Sequence, residues 1–374
     1  MSGLIPKNNS PIMPMTPLDI ARQRLRNQRI TEGKLRTPSE VVGWLGAVQA
    51  QDYAGAKWAL GMRLQNATDD AVDQAFAEGA ILRTHLLRPT WHFVTPADIR
   101  WMLALTAPRV HAANATMYRK LELDNALFKR SNAALVKALH GGQQLTRDEL
   151  REALERAGVA TAGELRMGYL LMPAELDGLV CSGARRGKQF TYALLEERVS
   201  PAKPLAHAAA LTELARRYFI SRGPATVQDF AKWSGLTLAD ARHGLEAVQT
   251  QLQHEMVDGQ TYWFSTSMPA KESSPTAYLL SIYDEYISGY KDRSAIGSPR
   301  HAARLSAMGN ALTYIVILDS QIVGTWKRTF KKEAVVIEIN LFIRLTKTQN
   351  RAIAVAAERY GAFLNLPVVM TGDL

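Results

Sequence analysis

A chain of 374 residues is too long for one ordinary hydrophobic core, and at roughly 150 residues per domain it should divide into two to four modules. Apolar residues make up 47% and charged residues 21%, which excludes wholesale disorder; Lys plus Arg outnumber Asp plus Glu by 45 to 35, for a net charge of +10 and a pI of about 9.6. That balance suits a polyanion, nucleic acid or an anionic membrane surface, yet no stretch approaches the ~18 apolar residues of a bilayer span and no signal-like segment opens the chain, so cytoplasmic residence is expected.

In chain order, the first fifteen residues, with Pro6, Asn8, Asn9, Pro11 and Pro14, read as a flexible leader. Two further breaks, Ser200–Pro204 and Met268–Pro275, combine prolines with small and charged residues and mark linkers. Between them one signal recurs: Thr, two residues, Asp or Glu, then an apolar residue. It marks a helix start, because the Thr hydroxyl accepts from an orphan backbone N–H while the acid reaches back to the cap. Instances begin at Thr16, Thr37, Thr95, Thr146, Thr226 and Thr237, the first three with Pro at the first helical position.

The fullest pattern runs from Leu145 to Leu195: a helix from Thr146 to about Arg156, a stop at Gly158, a helix from Gly163 through Leu176, then β-rich runs at 179–182 and 189–194 joined by a basic turn carrying Arg185, Arg186 and Lys188. Residues 207–264 repeat the order, with helices at 207–221, 226–233 and 237–248 and a hairpin at Asp258-Gly259, a favoured turn pair. Residues 16–105 offer a less regular version, with helices from Thr16 and Thr37 and strands at 81–87 and 90–94. Helix, helix, basic hairpin is the order of a winged helix, although generic α+β units give the same order. From Ala277 the texture changes to β-branched runs at 312–318 and 334–339, a turn at Asp319-Ser320, and an amphipathic helix from Thr346 to Leu364. The segment 326–332 interleaves Lys327, Arg328, Lys331 and Lys332 with Trp326 and Phe330. It suits either a strand that tracks phosphates and stacks on bases or an edge strand protected by charge.

Metal chemistry has no signature: the eight histidines show no paired spacing, and the single cysteine, Cys181, reads as a small buried hydrophobe. No phosphate-cradling glycine loop appears, so no metal and no cofactor are expected. The adjacent Asp284-Glu285, flanked by Tyr283 and Tyr286, could serve acid/base chemistry or act as a solvated or helix-capping pair. Segment 45–53, ending Gln49-Ala50-Gln51-Asp52-Tyr53, reads as an apolar helix that closes in polar residues before Gly55. In a continuous helix residues two apart point roughly 200° apart, so Gln49 and Gln51 converge only if the helix ends or bends between them. In Arg88-Pro89-Thr90-Trp91-His92-Phe93-Val94 a strand's period of two puts Arg88, Thr90 and His92 on one face and Trp91 and Phe93 on the other, a polar stripe backed by core. His92 suits a satisfied structural histidine or a site residue.

At Gln49-Ala50-Gln51, Arg88–His92 and Tyr283–Tyr286 the chain resembles the winged-helix DNA glycosylases of the AlkZ/YcaQ type, and the similarity spans nearly all of it from about Pro17. The resemblance implies an α+β chain of three tandem winged-helix (helix-turn-helix) units, 16–130, 131–200 and 205–268, followed by a β-rich, barrel-like domain over 277–374. It implies removal of bulky alkylated purines from double-stranded DNA, with interstrand crosslinks as substrates of some members. The family signature is Gln, an apolar residue, then Gln or Asp, which Gln49 and Gln51 match. Asp52 and His92 then stand as site support, and Arg88, Thr90, Arg185, Arg186, Lys188, Lys327, Arg328, Lys331 and Lys332 as DNA contacts. A monomeric, monofunctional glycosylase is expected, since no Schiff-base lysine is marked. A winged-helix regulator without catalysis and an RNA-binding or protein-interaction scaffold are the competing readings.

Overall fold

The computed structural model describes residues 15–373, apart from 266–273, 299, 302 and 305–312. All but Met15 of the expected leader, and most of the second linker, lie outside the described residues. The first unit comprises α1 (Pro17–Asn27), α2 (Pro38–Leu45), β1 (Val48–Gln49), α3 (Tyr53–Gly61), α4 (Asp69–Ala77), β2 (Leu82–Leu86) and β3 (Arg88–Val94). Helices α5 (Pro96–Lys120) and α6 (Asn125–Leu139) lead to β4 (Leu145–Thr146), α7 (Arg147–Arg156), α8 (Arg166–Leu176), β5 (Val180–Ser182), β6 (Thr191–Leu194) and the short α9 (Leu195–Arg198). Next come α10 (His207–Arg222), α11 (Val227–Ser234), α12 (Leu238–Val248) and the hairpin β7 (Gln253–Val257) and β8 (Gln260–Phe264). The last part holds β9 (Ala277–Leu280), the one-turn α13 (Glu285–Ser288), β10 (Ile315–Leu318), β11 (Gln321–Phe330), β12 (Val335–Leu341), a long helix we number α14 (Lys347–Leu364) and β13 (Val368–Gly372).

All six expected threonines sit at the N-cap of a helix. Thr16, Thr37, Thr146 and Thr226 close full capping boxes, and Thr237 accepts from the Asp240 N–H. Thr95 is the exception, because its hydroxyl donates to Asp98 Oδ2 at 2.6 Å instead of capping a backbone donor. The Asp258-Gly259 and Asp319-Ser320 turns form as expected, all four residues at positive φ. Unforeseen were α3, α4 and α6, and also the 25-residue length of α5, which starts at the expected cap but continues through Pro108.

The C-terminal sheet has the order β13-β12-β11-β10-β9, antiparallel except for the β12–β13 pair, which α14 connects. Among the described residues it is an open sheet with β9 and β13 at its edges, and no closed barrel is formed. β11 is an inner strand rather than an edge, but its second half runs past the start of β10 and, among the described residues, is bordered by β12 alone. The sheet and α14 share one core with α1–α4: Trp58 packs edge-on to Tyr360 at 5.0 Å and against Phe363 at 5.2 Å. Gly61 permits that approach, since a Cβ there would lie 2.6 Å from the Phe363 ring. A second core joins α10–α12 to β2, β3 and the start of α5, and a third fills α6–α8 with β5 and β6. The β1-β3-β2 sheet therefore lies where the third unit, the C-terminal sheet and the β5–β6 hairpin all meet the first unit.

Candidate active site

Helix α2 stops at Leu45, with Gly46 at φ +77° as its cap, so the glutamine pair does not end a helix as the sequence suggested. Gln49 instead lies on β1, paired with His92 of β3, and Ala50 extends the ladder by donating to the Trp91 carbonyl at 2.8 Å. An extended chain turns residues two apart toward a common side, so no helix bend is needed here, and Gln51 itself lies in the bend that follows β1. Gln49 is 8% exposed and Gln51 is exposed. The Gln49 Oε1 accepts from Arg88 Nη2 at 3.2 Å, and the Gln51 Oε1 from the Trp91 N–H at 3.4 Å. Between them the Ala50 carbonyl accepts from Arg83 Nε at 3.0 Å. Each carboxamide oxygen keeps a second lone pair.

Gln49 is also held by its backbone. Its N–H donates to Glu285 Oε1 at 2.9 Å, while Glu285 Oε2 accepts from Arg222 at 2.7 Å and from the Trp233 indole at 3.0 Å. Arg222 further donates to the carbonyls of Leu45 and Ala47, at 2.6 and 2.9 Å, and so grips the turn leading into β1. Burial alone would raise the Glu285 carboxyl; the Arg222 guanidinium, the Gln49 N–H and Arg88 outweigh it and hold it below the usual range. Next to it Asp284 caps α13 through the Tyr286 N–H and takes two bonds from Arg63, each at 2.9 Å. The capping reading of this pair is thus met for Asp284. Both carboxylates are fully buried and fully engaged, so neither is solvated nor free to move a proton. Sequence reasoning named the segment but missed its tie to Gln49, as it missed Arg222, Trp233 and Arg83.

Arg88 and His92 meet beside Gln49, which accepts from the first and pairs with the second, but the β2–β3 register breaks between Arg88 and Trp91, so the expected regular alternation is interrupted at Thr90. Phe93 is core, but Trp91 is only half-buried, its ring 4.3 Å from the Arg83 guanidinium and 4.3 Å from His85. Burial pulls Arg83 down to about 10. His92 is fully buried, with Nδ1 2.9 Å from the Thr90 carbonyl; burial, then the Arg88 charge, press it well below the usual histidine range, so it is neutral. Its Nε2 and the hydroxyls of Thr84 and Thr90 are buried with no hydrogen-bond partner among the described residues. Asp52 caps α3 and lies 3.8 Å from Arg328, whose guanidinium is also held by the hydroxyls of Tyr314, at 3.1 Å, and Tyr360.

The other basic residues divide. Arg185 lies over the rings of Tyr53 and Phe190, 4.9 and 5.2 Å from their centroids, which carries the β5–β6 turn to the residue beside Asp52. Arg186 pairs with Glu149 at 2.7 Å yet stays exposed, and Lys188, Lys327, Lys331 and Lys332 are exposed. Trp326 is buried among Tyr314, Tyr360 and Leu280 and is unavailable to stack on bases, whereas Phe330 is 54% exposed. Among the described residues no cluster of His, Cys, Asp and Glu could hold a metal ion, and no helix is long and apolar enough to cross a membrane.

Comparison with known proteins separates an enzyme from a bare DNA-binding module. The family model for AlkZ-like DNA glycosylases matches residues 42–363. The chain belongs to that family. It is therefore a DNA glycosylase, and DNA is its substrate. One relative, the interstrand DNA cross-link repair glycosylase of Streptomyces sahachiroi, is 26% identical over 326 residues, covering 81% of this chain and 85% of the relative. The solved structure of the DNA glycosylase AlkZ from the same organism superposes with a TM-score of 0.78 at 21% identity, covering 96% of this chain and 100% of that one, which shows a common fold.

Proposed function

We propose that this AlkZ-like glycosylase excises cationic, alkylated purines from duplex DNA, with Gln49 and Gln51 orienting the water that attacks the anomeric carbon. The supporting observation is that both carboxamide oxygens are held by fixed donors on the β1–β3 ladder, each with one lone pair left to accept from a water. Glycosidases ordinarily need a carboxylic acid to protonate the leaving group. A purine alkylated on a ring nitrogen is already cationic. When the C–N glycosidic bond breaks, its electron pair goes to the base, which leaves neutral, and the water oxygen bonds to the anomeric carbon and sheds its proton to solvent. The protein need only place that water and stabilise the oxocarbenium-like sugar.

Asp52 and His92 then act in support. Asp52 sets a negative charge beside the developing cation, and neutral His92 underlies Gln49 across the strand pair. The three helix–helix–hairpin units serve as winged helices, the second taking in the whole of α6, which the expected boundary at 130/131 would cut. Arg186, Lys188, Lys327, Lys331 and Lys332 approach phosphates, with Arg185 and Arg328 braced close to the glutamines, whereas Thr90, its hydroxyl buried, is no phosphate contact. The enzyme acts as a cytoplasmic monomer without lyase chemistry. The cross-link repair in the relative's name extends to this chain as unhooking of guanine-linked strands, since each half of such a link is a cationic purine.

The test is release of free base from a duplex carrying N7-methylguanine, in the presence of a chelator. Gln49→Ala and Gln51→Ala should each lose on the order of 10²-fold in rate, the scale of a lost positioning group. Release by both variants at the parent's rate would refute the assignment.

A further inference from the structure

We propose that Arg88 is a positioning residue for this chemistry, a clamp through which the C-terminal end of α11 sets the orientation of the Gln49 carboxamide, rather than a DNA contact. The inference rests on the reading of Gln49 above. One arm of the guanidinium, Nη2, donates to Gln49 Oε1 at 3.2 Å; the other, Nη1, donates to the carbonyls of Trp233 and, at 3.3 Å, Lys232. Those carbonyls close α11, where a helix has orphan acceptors and the negative end of its dipole, a natural seat for a cation.

The neighbouring backbone is shaped for this contact. Gly235, the left-handed cap of α11 at φ +71°, packs on the β2–β3 turn so closely that a Cβ would lie 2.2 Å from the Leu87 carbonyl. Leu87 itself holds φ +62°, an unfavourable conformation for an apolar side chain, and it turns the chain directly into Arg88. With both arms occupied and most of its surface covered, the guanidinium has little left to offer a phosphate.

A clamp matters because the two ends of a carboxamide have nearly the same shape, and an unheld Gln49 could turn either end to the water. Arginine has donors and no acceptor, so it admits only the oxygen. Lysine cannot replace it. Two partners in different directions require a planar fork, and an ammonium is a single point.

The experiment is single-turnover excision of N7-methylguanine by the full chain, reading the saturated rate and the half-saturating enzyme concentration separately, for Arg88→Ala, Arg88→Lys, Gln49→Ala and the Arg88→Ala/Gln49→Ala pair. We expect Arg88→Ala to lose about 10- to 100-fold in saturated rate at unchanged half-saturation, and added guanidinium to restore part of it. Arg88→Lys should lose rate as well, and it serves as the deciding variant should Arg88→Ala not fold. The double variant should be no slower than Gln49→Ala alone. A parental saturated rate in Arg88→Ala or Arg88→Lys, a loss confined to half-saturation, or multiplicative losses in the double variant would overturn the clamp. A fully active Gln49→Ala would instead sink the glutamine reading and the clamp together, so the two failures are told apart.

Discussion

Replacing Glu285 with Gln tests the polar centre of the molecule most directly. Glu285 and Arg222 are both fully buried and 2.7 Å apart, so the substitution leaves a buried guanidinium without a counter-charge, at about 3–5 kcal/mol. The new amide can still accept from the Gln49 N–H. Its nitrogen must then face Arg222 and the Trp233 indole, both donors, leaving at least one unpaired at about 1–3 kcal/mol. The two terms overlap because they share Arg222, so the expected loss is about 4 kcal/mol, a large fraction of the ~5–15 kcal/mol typical of a folded protein. Denaturant unfolding measures it. Because the pair acts as a unit, Arg222→Met/Glu285→Leu should cost roughly what the worse single substitution costs, not the sum. A loss below about 1 kcal/mol for Glu285→Gln, or additive singles, would show that the network does not hold the site together.

Three further outcomes follow from the same structure. His92 is neutral when folded and charges below about pH 6.5 when unfolded, so the unfolded state binds more protons there; stability is complete above that pH and should fall by up to ~1.4 kcal/mol per unit below it. His92→Gln should remove that component, and identical slopes in parent and variant would refute it. Trp326→Ala should cost about 3–5 kcal/mol in denaturant unfolding because the ring is 1% exposed in the core, while Phe330→Ala, four residues on and 54% exposed, should stay within about 0.5 kcal/mol. Changing Lys327, Lys331 and Lys332 to Ala should flatten the log–log salt dependence of DNA binding by up to about 0.9 per lost phosphate contact, with the saturated excision rate unchanged; an unaltered slope would remove these lysines from the interface.

What could be read from local sequence was what is locally determined. A Thr capping box involves residues three apart, and an Asp-Gly or Asp-Ser turn involves adjacent ones, so the starts of six helices and both turns were legible. The basic turn of the β5–β6 hairpin and the amphipathic α14 were equally plain. The inner position of β11 was not, because strand order is set by pairing partners and not by the charges on the strand. The length of helix α5, though not its start, was hidden by Pro108, which argues for a break that its packing against β2, β3 and α8 overrides.

The site divides in the same way. Gln49 and Gln51 stood out by residue type and family resemblance, as did Arg88, His92 and Asp284-Glu285, and the sequence by itself determined which side chains were available for chemistry. Their arrangement was decided by the tertiary structure. β1 is two residues long and carries no signature of its own, since its extended form comes from pairing with β3. Gln49 and Glu285 are 236 residues apart, and Arg88 is 145 from the Trp233 carbonyl that seats it. Such bonds exist only because cores shared between units bring α11 and α13 against β1 and β3. Once buried there, a charge must find a partner or pay its full desolvation cost, and the fold turns an arginine that reads as a DNA contact into an internal support.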